Sequence, residues 1–237
     1  MPSYSSIEWT EYSWNPVTGC SKVSSGCLNC YAERLAKRFK AMGIHRYRAG
    51  FDVQTHPDLI SIPYRLKKPH VIFVNSMSDL FHEEIPEHFV RRIFEVMNNC
   101  PQHTFQILTK RSRRMLRLSR ELKWSNNIWM GVTIEDQNNI FRMIELCESS
   151  ARIKFISCEP LLGPVFFPRL DGINWVIVGG ESGPNARPMN KEWAISLRDQ
   201  CLSADVAFFF KQWGGKNKKA AGRLLEGKIW NQIPISP

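Results

Sequence analysis

Three of the seven cysteines in this 237-residue chain fall close together, Cys20, Cys27 and Cys30, in the spacing C-x6-C-x2-C. In a reducing compartment, clustered thiols read as metal ligands or redox groups before they read as disulfides. A structural zinc site takes four protein ligands, commonly in two pairs. Here only three thiols stand together, and His45 and His56 are candidates for a fourth ligand without local ligand spacing. Three thiolates with one open position also suit an iron–sulfur cluster whose remaining iron is left for an exchangeable ligand. The other cysteines are scattered. Cys100, Cys147 and Cys201 fall in or beside helix-like stretches and read as small buried hydrophobes, whereas Cys158 sits at a strand end among polar residues.

A thiol cluster does chemistry only where a scaffold aims it. Short runs that are apolar on nearly every residue recur at 71–76, 104–109, 128–133, 153–158, 175–180 and 206–211, with "IEWTE" at 7–11 as a seventh candidate strand. Such runs suit strands buried on both faces, as in a parallel sheet covered by helices. Between them lie helix-like stretches at 30–43, 86–100, 135–150 and 190–203, one closing on Gly43 and one opening on Pro86. The alternation predicts an α/β fold, a partial or nearly closed parallel (β/α) barrel of six to seven units spanning 1–237 as one domain. Residues 44–70, with Gly50, Pro57, Pro63 and Pro69, read as a long surface excursion, and 214–237 as a basic C-terminal appendage.

In barrels of parallel strands, the loops after the strand C-termini share one face and build the site. The cysteine loop follows the first strand on that face. The second strand ends in Asn75, Ser76, Ser78, Asp79, His82 and Glu83, the third in Thr109, Lys110 and Arg111, and the fourth in Thr133, Glu135 and Asp136. The fifth ends in Ser157 and Glu159, the sixth in Gly179, Gly180 and Glu181, and the seventh in Lys211, Gln212 and Trp213. Every strand turns polar at the same place.

A three-cysteine loop after the first strand of such a barrel resembles the radical S-adenosylmethionine (radical SAM) superfamily. "WNPVTGCSKVSSGCLNCYAERLA", "NSMSDLFHE", "LTKRSRRM", "SCEPLLGPV", "WVIVGGESGP" and "FFFKQWGG" together look like a three-cysteine-motif family of phages and mobile elements, usually grouped with radical SAM proteins. The resemblance implies a [4Fe–4S] cluster on Cys20, Cys27 and Cys30, S-adenosylmethionine chelated at the open iron, and an external electron donor for its cleavage to a 5′-deoxyadenosyl radical. It departs from the superfamily pattern in three ways. The first gap is longer than the usual C-x3-C-x2-C, Asn29 stands where an aromatic commonly precedes the third cysteine, with Tyr31 just after, and "GGE" lies on the sixth strand instead of the second.

The resemblance makes Asn75, Ser76, Ser78 and Asp79 candidates for the methionine amino group, and Tyr31, Gly179, Gly180 and Glu181 for cofactor contacts. Glu135, Ser157 and Glu159 suit ribose hydroxyls or the ammonium. Lys110 and Lys211 suit the methionine carboxylate or a substrate phosphate, with Arg111, Gln212 and Trp213 beside them.

A net charge of +10 favours a polyanionic partner. "KRSRRMLRLSRELK" at 110–123 carries seven Lys or Arg against one Glu, and 216–223 adds four more. Placed near the barrel mouth, these could hold phosphates of a nucleic acid while Trp9, Tyr12, Trp14 and Tyr31 either stack on bases or pack the core. The chain has no apolar run long enough for a bilayer span and no secretory pattern at its N-terminus, which predicts a cytoplasmic protein with no membrane partner. The leading expectation is a radical SAM enzyme acting on a nucleic acid or nucleotide-derived substrate, in modification or DNA repair, with an open side that a protein partner could close. The alternative is a noncatalytic nucleic-acid-binding protein with a structural zinc or cluster site.

Overall fold

The computed structural model describes residues 3–5 and 7–234. Seven parallel strands follow one another in chain order across one sheet: β1 (Tyr12–Trp14), β2 (Val71–Val74), β3 (Thr104–Thr109), β4 (Ile128–Thr133), β5 (Ile153–Cys158), β6 (Trp175–Gly179) and β7 (Ala207–Gln212). Ser3–Tyr4 adds a short antiparallel strand outside β1. The strand order puts β1 and β7 at opposite ends, so the curled sheet is a half-barrel. The first strand lies later than 7–11 suggests. Those residues form a turn, with Thr10 N–H donating to the Ile7 carbonyl at 3.3 Å, and Trp9 packs into the inner face.

The apolar runs are buried on both faces, as parallel strands require. Alternate residues Phe73, Trp129, Phe155, Trp175, Ile177 and Phe209 form an aromatic-rich inner cluster with Trp9. Gly131 belongs to this face: a Cβ there would lie 2.4 Å from the Phe155 ring, so only glycine lets that ring lie flat on β4. The intervening residues, among them Val74, Ile107, Met130, Ile156, Val178 and Phe210, face the main core under the helices. Those helices are α1 (Tyr31–Ala41), α2 (Glu87–Asn98), α3 (Ser112–Ser119), α4 (Phe141–Cys147) and α5 (Lys191–Ser203). In α2 the buried residues Phe89, Val90, Ile93, Phe94 and Met97 recur at helical spacing, which fixes the stripe that meets the sheet. Asn190 caps α5 by accepting the Glu192 N–H at 3.0 Å.

The βα alternation breaks between β5 and β6, where 159–174 crosses without a helix. Pro160, Pro164 and Pro168 recur there every four residues, removing the N–H groups a helix would need.

Two segments read as surface pieces contribute to the core instead. In the 44–70 excursion Leu59, Ile60 and Ile62 are buried in the main cluster, and the Leu59 carbonyl accepts the Trp14 indole N–H at 2.8 Å. The basic appendage folds back along the free edge of β7, with Phe210 N–H donating to the Trp230 carbonyl at 3.0 Å and Gln232 N–H to the Phe208 carbonyl at 3.1 Å. Residues 235–237 of that appendage lie outside the described residues. Among the described residues no helix is long and apolar enough to cross a membrane.

Candidate cofactor site at the mouth of the half-barrel

All three cysteines lie on the loop between β1 and α1, at the C-terminal mouth of the half-barrel, half-buried and unbonded. The loop leaves β1 through Gly19, whose φ of +85° and approach to the Asp52 carbonyl (2.1 Å from a would-be Cβ) exclude a side chain. Cys27 closes a short 3-10 turn, and Cys30 is the first cap position of α1.

Three carboxylate–arginine pairs from different parts of the mouth fasten this loop. Asp79, after β2, accepts from Thr109 Oγ1 at 2.7 and 2.9 Å, Lys110 N at 3.1 Å and Arg111 at 3.4 Å. Arg111, so held and also paired to Glu83 at 2.8 Å, donates to Cys20 Sγ at 3.4 Å and to the Ser21 carbonyl and hydroxyl at 3.1 and 2.8 Å. Glu135, fully buried after β4, accepts from Arg142 at 2.7 Å and from the Ser24 hydroxyl at 2.5 Å. Gly26 sits so close to Glu135 that a Cβ there would meet its carboxylate at 2.4 Å. Glu181, after β6, accepts from Asn29 Nδ2, Arg187 N and Arg187 Nε, each at 2.9 Å, while Arg187 also donates to the Ser25 carbonyl at 3.0 Å.

These partners change several expected roles. Asp79 spends its oxygens on Thr109, Lys110 and Arg111, so it positions Arg111 and is not an open acceptor for an amino group. Arg111 is itself buried and committed, which removes it from contact with a substrate phosphate. Glu135 and Glu181 clamp the cysteine loop, and the Ser76 and Ser78 hydroxyls donate to Asn15 Oδ1 and the Val17 carbonyl at 3.2 and 3.0 Å. Gly180 lacks a side chain because the Trp213 carbonyl lies 2.0 Å from where its Cβ would be, an approach of protein backbone and not of ligand. Trp213 packs on Phe210 with centroids 4.8 Å apart and donates its indole N–H to the Leu224 carbonyl at 2.9 Å, so it anchors the tail. Gln212 donates to the Gly180 carbonyl at 3.2 Å and joins the same anchorage.

Inside the mouth a different set remains free. The hydroxyls of Thr133 and Ser157 and the Asn75 Nδ2 are buried with no hydrogen-bond partner. Thr133 and Ser157 belong to the inner-face register of Trp129 and Phe155, four and two residues further along their strands, and Asn75 follows the end of β2. A Cβ on Gly179 would make only ordinary contacts, 3.4 Å from Lys211 and 3.5 Å from Glu159. Those two residues form an ion pair, Lys211 Nζ to Glu159 Oε1, at 2.6 Å. Tyr31, half exposed, donates its hydroxyl to the Ser76 carbonyl at 2.5 Å. Buried donors without acceptors are costly, so this ring is built to receive a polar ligand or ordered water.

The donor set on the loop suits an iron–sulfur cluster in kind, but it is not preassembled around one ion. Among the described residues no three His, Cys, Asp or Glu groups gather to hold a metal ion. Zinc would need sulfurs about 3.8 Å apart to sit tetrahedrally at its usual bond length, whereas a four-iron cube takes its thiolates farther apart. The histidines weighed for a zinc site are committed elsewhere: His56 Nε2 pairs with Thr18 Oγ1 at 2.8 Å and His45 Nε2 accepts from Arg48 at 2.9 Å. Burial first, and the charge of Asp79 second, push the Cys20 thiol up to about 11 against the pull of Arg111, so a bound metal would have to displace its proton. Cys158, Cys100 and Cys201 are core residues, and burial raises all three thiols.

Much of the basic run at 110–123 is spent internally. Arg114 donates to the His82 and Ile85 carbonyls, Arg117 pairs with Glu87 at 2.8 Å and Arg113 with Glu145 at 3.5 Å. Trp9, Tyr12 and Trp14 are buried in the core and unavailable to bases. Ser24, Gly26, Arg142 and Arg187 carry no role in the motifs. Their partners lie up to more than a hundred residues away, as between Ser24 and Glu135, and no local spacing announces them.

Comparison with solved structures shows the same half-barrel in spore photoproduct lyase. A mutant of that lyase with bound AdoMet and dinucleoside spore photoproduct matches with a TM-score of 0.53 at 10% identity, over 98% of this chain and 65% of that chain. The lyase complexed with dinucleoside spore photoproduct matches at 0.52 and 9% identity over 89% and 78% of the two chains, and a further mutant at 0.56 and 9% over 90% and 79%. This chain thus spans 65% of the length of the AdoMet-bound lyase chain, and at such identities the likeness is one of fold. No curated protein matches the chain. A family profile described as "Protein of unknown function (DUF5131)" matches residues 4–234, and it is not described as a three-cysteine family of phages. With nearly the whole length covered, the chain belongs to the DUF5131 family.

Proposed function

We propose that this protein is a radical SAM enzyme acting on a nucleotide-derived substrate. The observation that carries the reading is the stacking of two features at one mouth: three free thiols on the loop after β1, above an inner ring of buried polar groups without partners. A [4Fe–4S] cluster bound by Cys20, Cys27 and Cys30, with S-adenosylmethionine at its open iron, would supply a one-electron cleavage of the sulfonium to a 5′-deoxyadenosyl radical.

The chain's own residues then have definite work. Asn75 Nδ2, Thr133 Oγ1 and Ser157 Oγ, having no protein partner, hydrogen-bond the polar atoms of the cofactor. Lys211 faces its carboxylate, and Glu159, freed in part from that lysine, accepts from ribose hydroxyls. The Asp79–Arg111, Glu135–Arg142 and Glu181–Arg187 pairs hold the cysteine loop over them. The aromatic inner cluster supports the ring from the same face of the sheet. The fold likeness to a lyase bound to a dinucleoside photoproduct supports a nucleotide-derived substrate, in modification or repair, with an external electron donor.

Anaerobic reconstitution with iron and sulfide tests the reading. The protein should turn brown and, with S-adenosylmethionine and a reductant, release 5′-deoxyadenosine. Uptake of one zinc per chain with no 5′-deoxyadenosine would instead identify a noncatalytic binding protein.

A further inference from the structure

The excursion between α1 and β2 forms an open pocket of about 660 Å³ whose lining includes His45, Arg46, Arg48, Gln54, His56 and Asp58. Its walls are tied to the base of the cysteine loop. Gln54–Thr55 pairs antiparallel with Val17–Thr18, the His56 N–H donates to the Pro16 carbonyl at 2.8 Å, and Cys20 N–H donates to the Phe51 carbonyl at 3.0 Å. Thr18, hydrogen-bonded to His56, is two residues from Cys20.

Charge in this pocket is unbalanced. Among the described residues neither Arg46 nor Arg48 has a carboxylate partner, and the hydrogen bond of Arg48 goes to the neutral nitrogen of His45. Asp58 is the single carboxylate in the lining. In the 110–123 run, by comparison, Arg113, Arg114 and Arg117 are partnered by Glu145, backbone carbonyls and Glu87. Two exposed guanidiniums against one carboxylate leave an excess of positive charge that an anion would balance.

We propose that this pocket binds a phosphodiester of a nucleic-acid strand whose neighbouring nucleotide lies at the barrel mouth. Arg46 and Arg48 supply planar, two-pronged donors matched to phosphate oxygens, and the Nδ1–H of His45 adds a neutral one. The inference rests on the nucleotide-derived substrate proposed above and adds how the strand is gripped.

The test uses the reconstituted protein and a fluorescent single-stranded oligonucleotide, with anisotropy read at several salt concentrations. Replacing both arginines, Arg46→Glu with Arg48→Glu, should weaken binding by about tenfold or more and flatten the slope of log affinity against log salt by about 0.7, one phosphate's worth for a single strand. Arg152→Glu with Arg169→Glu, on exposed residues remote from the pocket, changes net charge equally and should move affinity less than about twofold. Equal losses in the two double variants, an unchanged slope, or binding of inorganic phosphate without any oligonucleotide binding would each overturn the proposal. Formation of 5′-deoxyadenosine without oligonucleotide is read in parallel. Its absence from the wild type would remove the radical reading while leaving the comparison of salt slopes intact.

Discussion

At the scale of single residues, the three thiols share one loop at the mouth and are half-buried, whereas Cys100, Cys158 and Cys201 are buried in the core. Cys27→Ala should abolish cluster assembly and 5′-deoxyadenosine formation, measured by iron content and product chromatography, while oligonucleotide affinity stays within about twofold because phosphate contacts set it. Glu181 gives a pH signature. Burial is the largest influence and pushes its carboxyl up, but hydrogen bonds from Arg187 and Asn29 outweigh it and hold the group at about 2. A depressed carboxyl stabilises the fold above its unfolded pKa near 4.3, and that contribution, on the order of 3 kcal/mol, is lost as pH falls from there toward 2. Glu181→Gln should therefore lower Tm at pH 7 and leave little difference from wild type near pH 2, as thermal unfolding across that range would record. The thiols and the polar strand ends were legible as chemistry because they are local. The arginines that hold Glu135 and Glu181 were not, since Arg142 sits in an apolar helical stretch and Arg187 in a loop, and neither differs by sequence from an ordinary surface cation.

At the scale of elements, the strands were readable because parallel strands buried on both faces leave nearly unbroken apolar runs. The helix stretches followed from their periodicity, and Gly43, with φ of +71°, ends α1 as a left-handed stop. The 44–70 segment was not readable as core. Leu59, Ile60 and Ile62 are buried from short 3-10 turns that have no sustained period. The cysteine loop behaves as an element in its own right, and Gly26 is where it meets the buried Glu135. Gly26→Ala would drive a methyl into the Glu135 carboxylate, displacing the loop without removing a thiol. The expected result is a loss of iron retention of about tenfold on dialysis, with a fall in stability of about 1–3 kcal/mol by denaturant unfolding.

At the scale of the whole molecule, an open arc has two edges, and this chain covers both with its own ends. Ser3–Tyr4 lies along β1, and the segment through Trp230 and Gln232 lies along β7. Exposed, the Phe208–Phe210 strand would be an apolar template for pairing with another chain. Truncation after Arg223 should thus yield a protein that aggregates at micromolar concentration by light scattering and loses a single cooperative unfolding transition. The three ties on the cysteine loop come from the ends of β2 and β3, from β4 and from β6, spread like spokes around the rim. Widening or narrowing the arc between β1 and β7 would tug on those spokes unequally. The bend of the sheet is therefore the ruler that sets the gaps between the sulfurs.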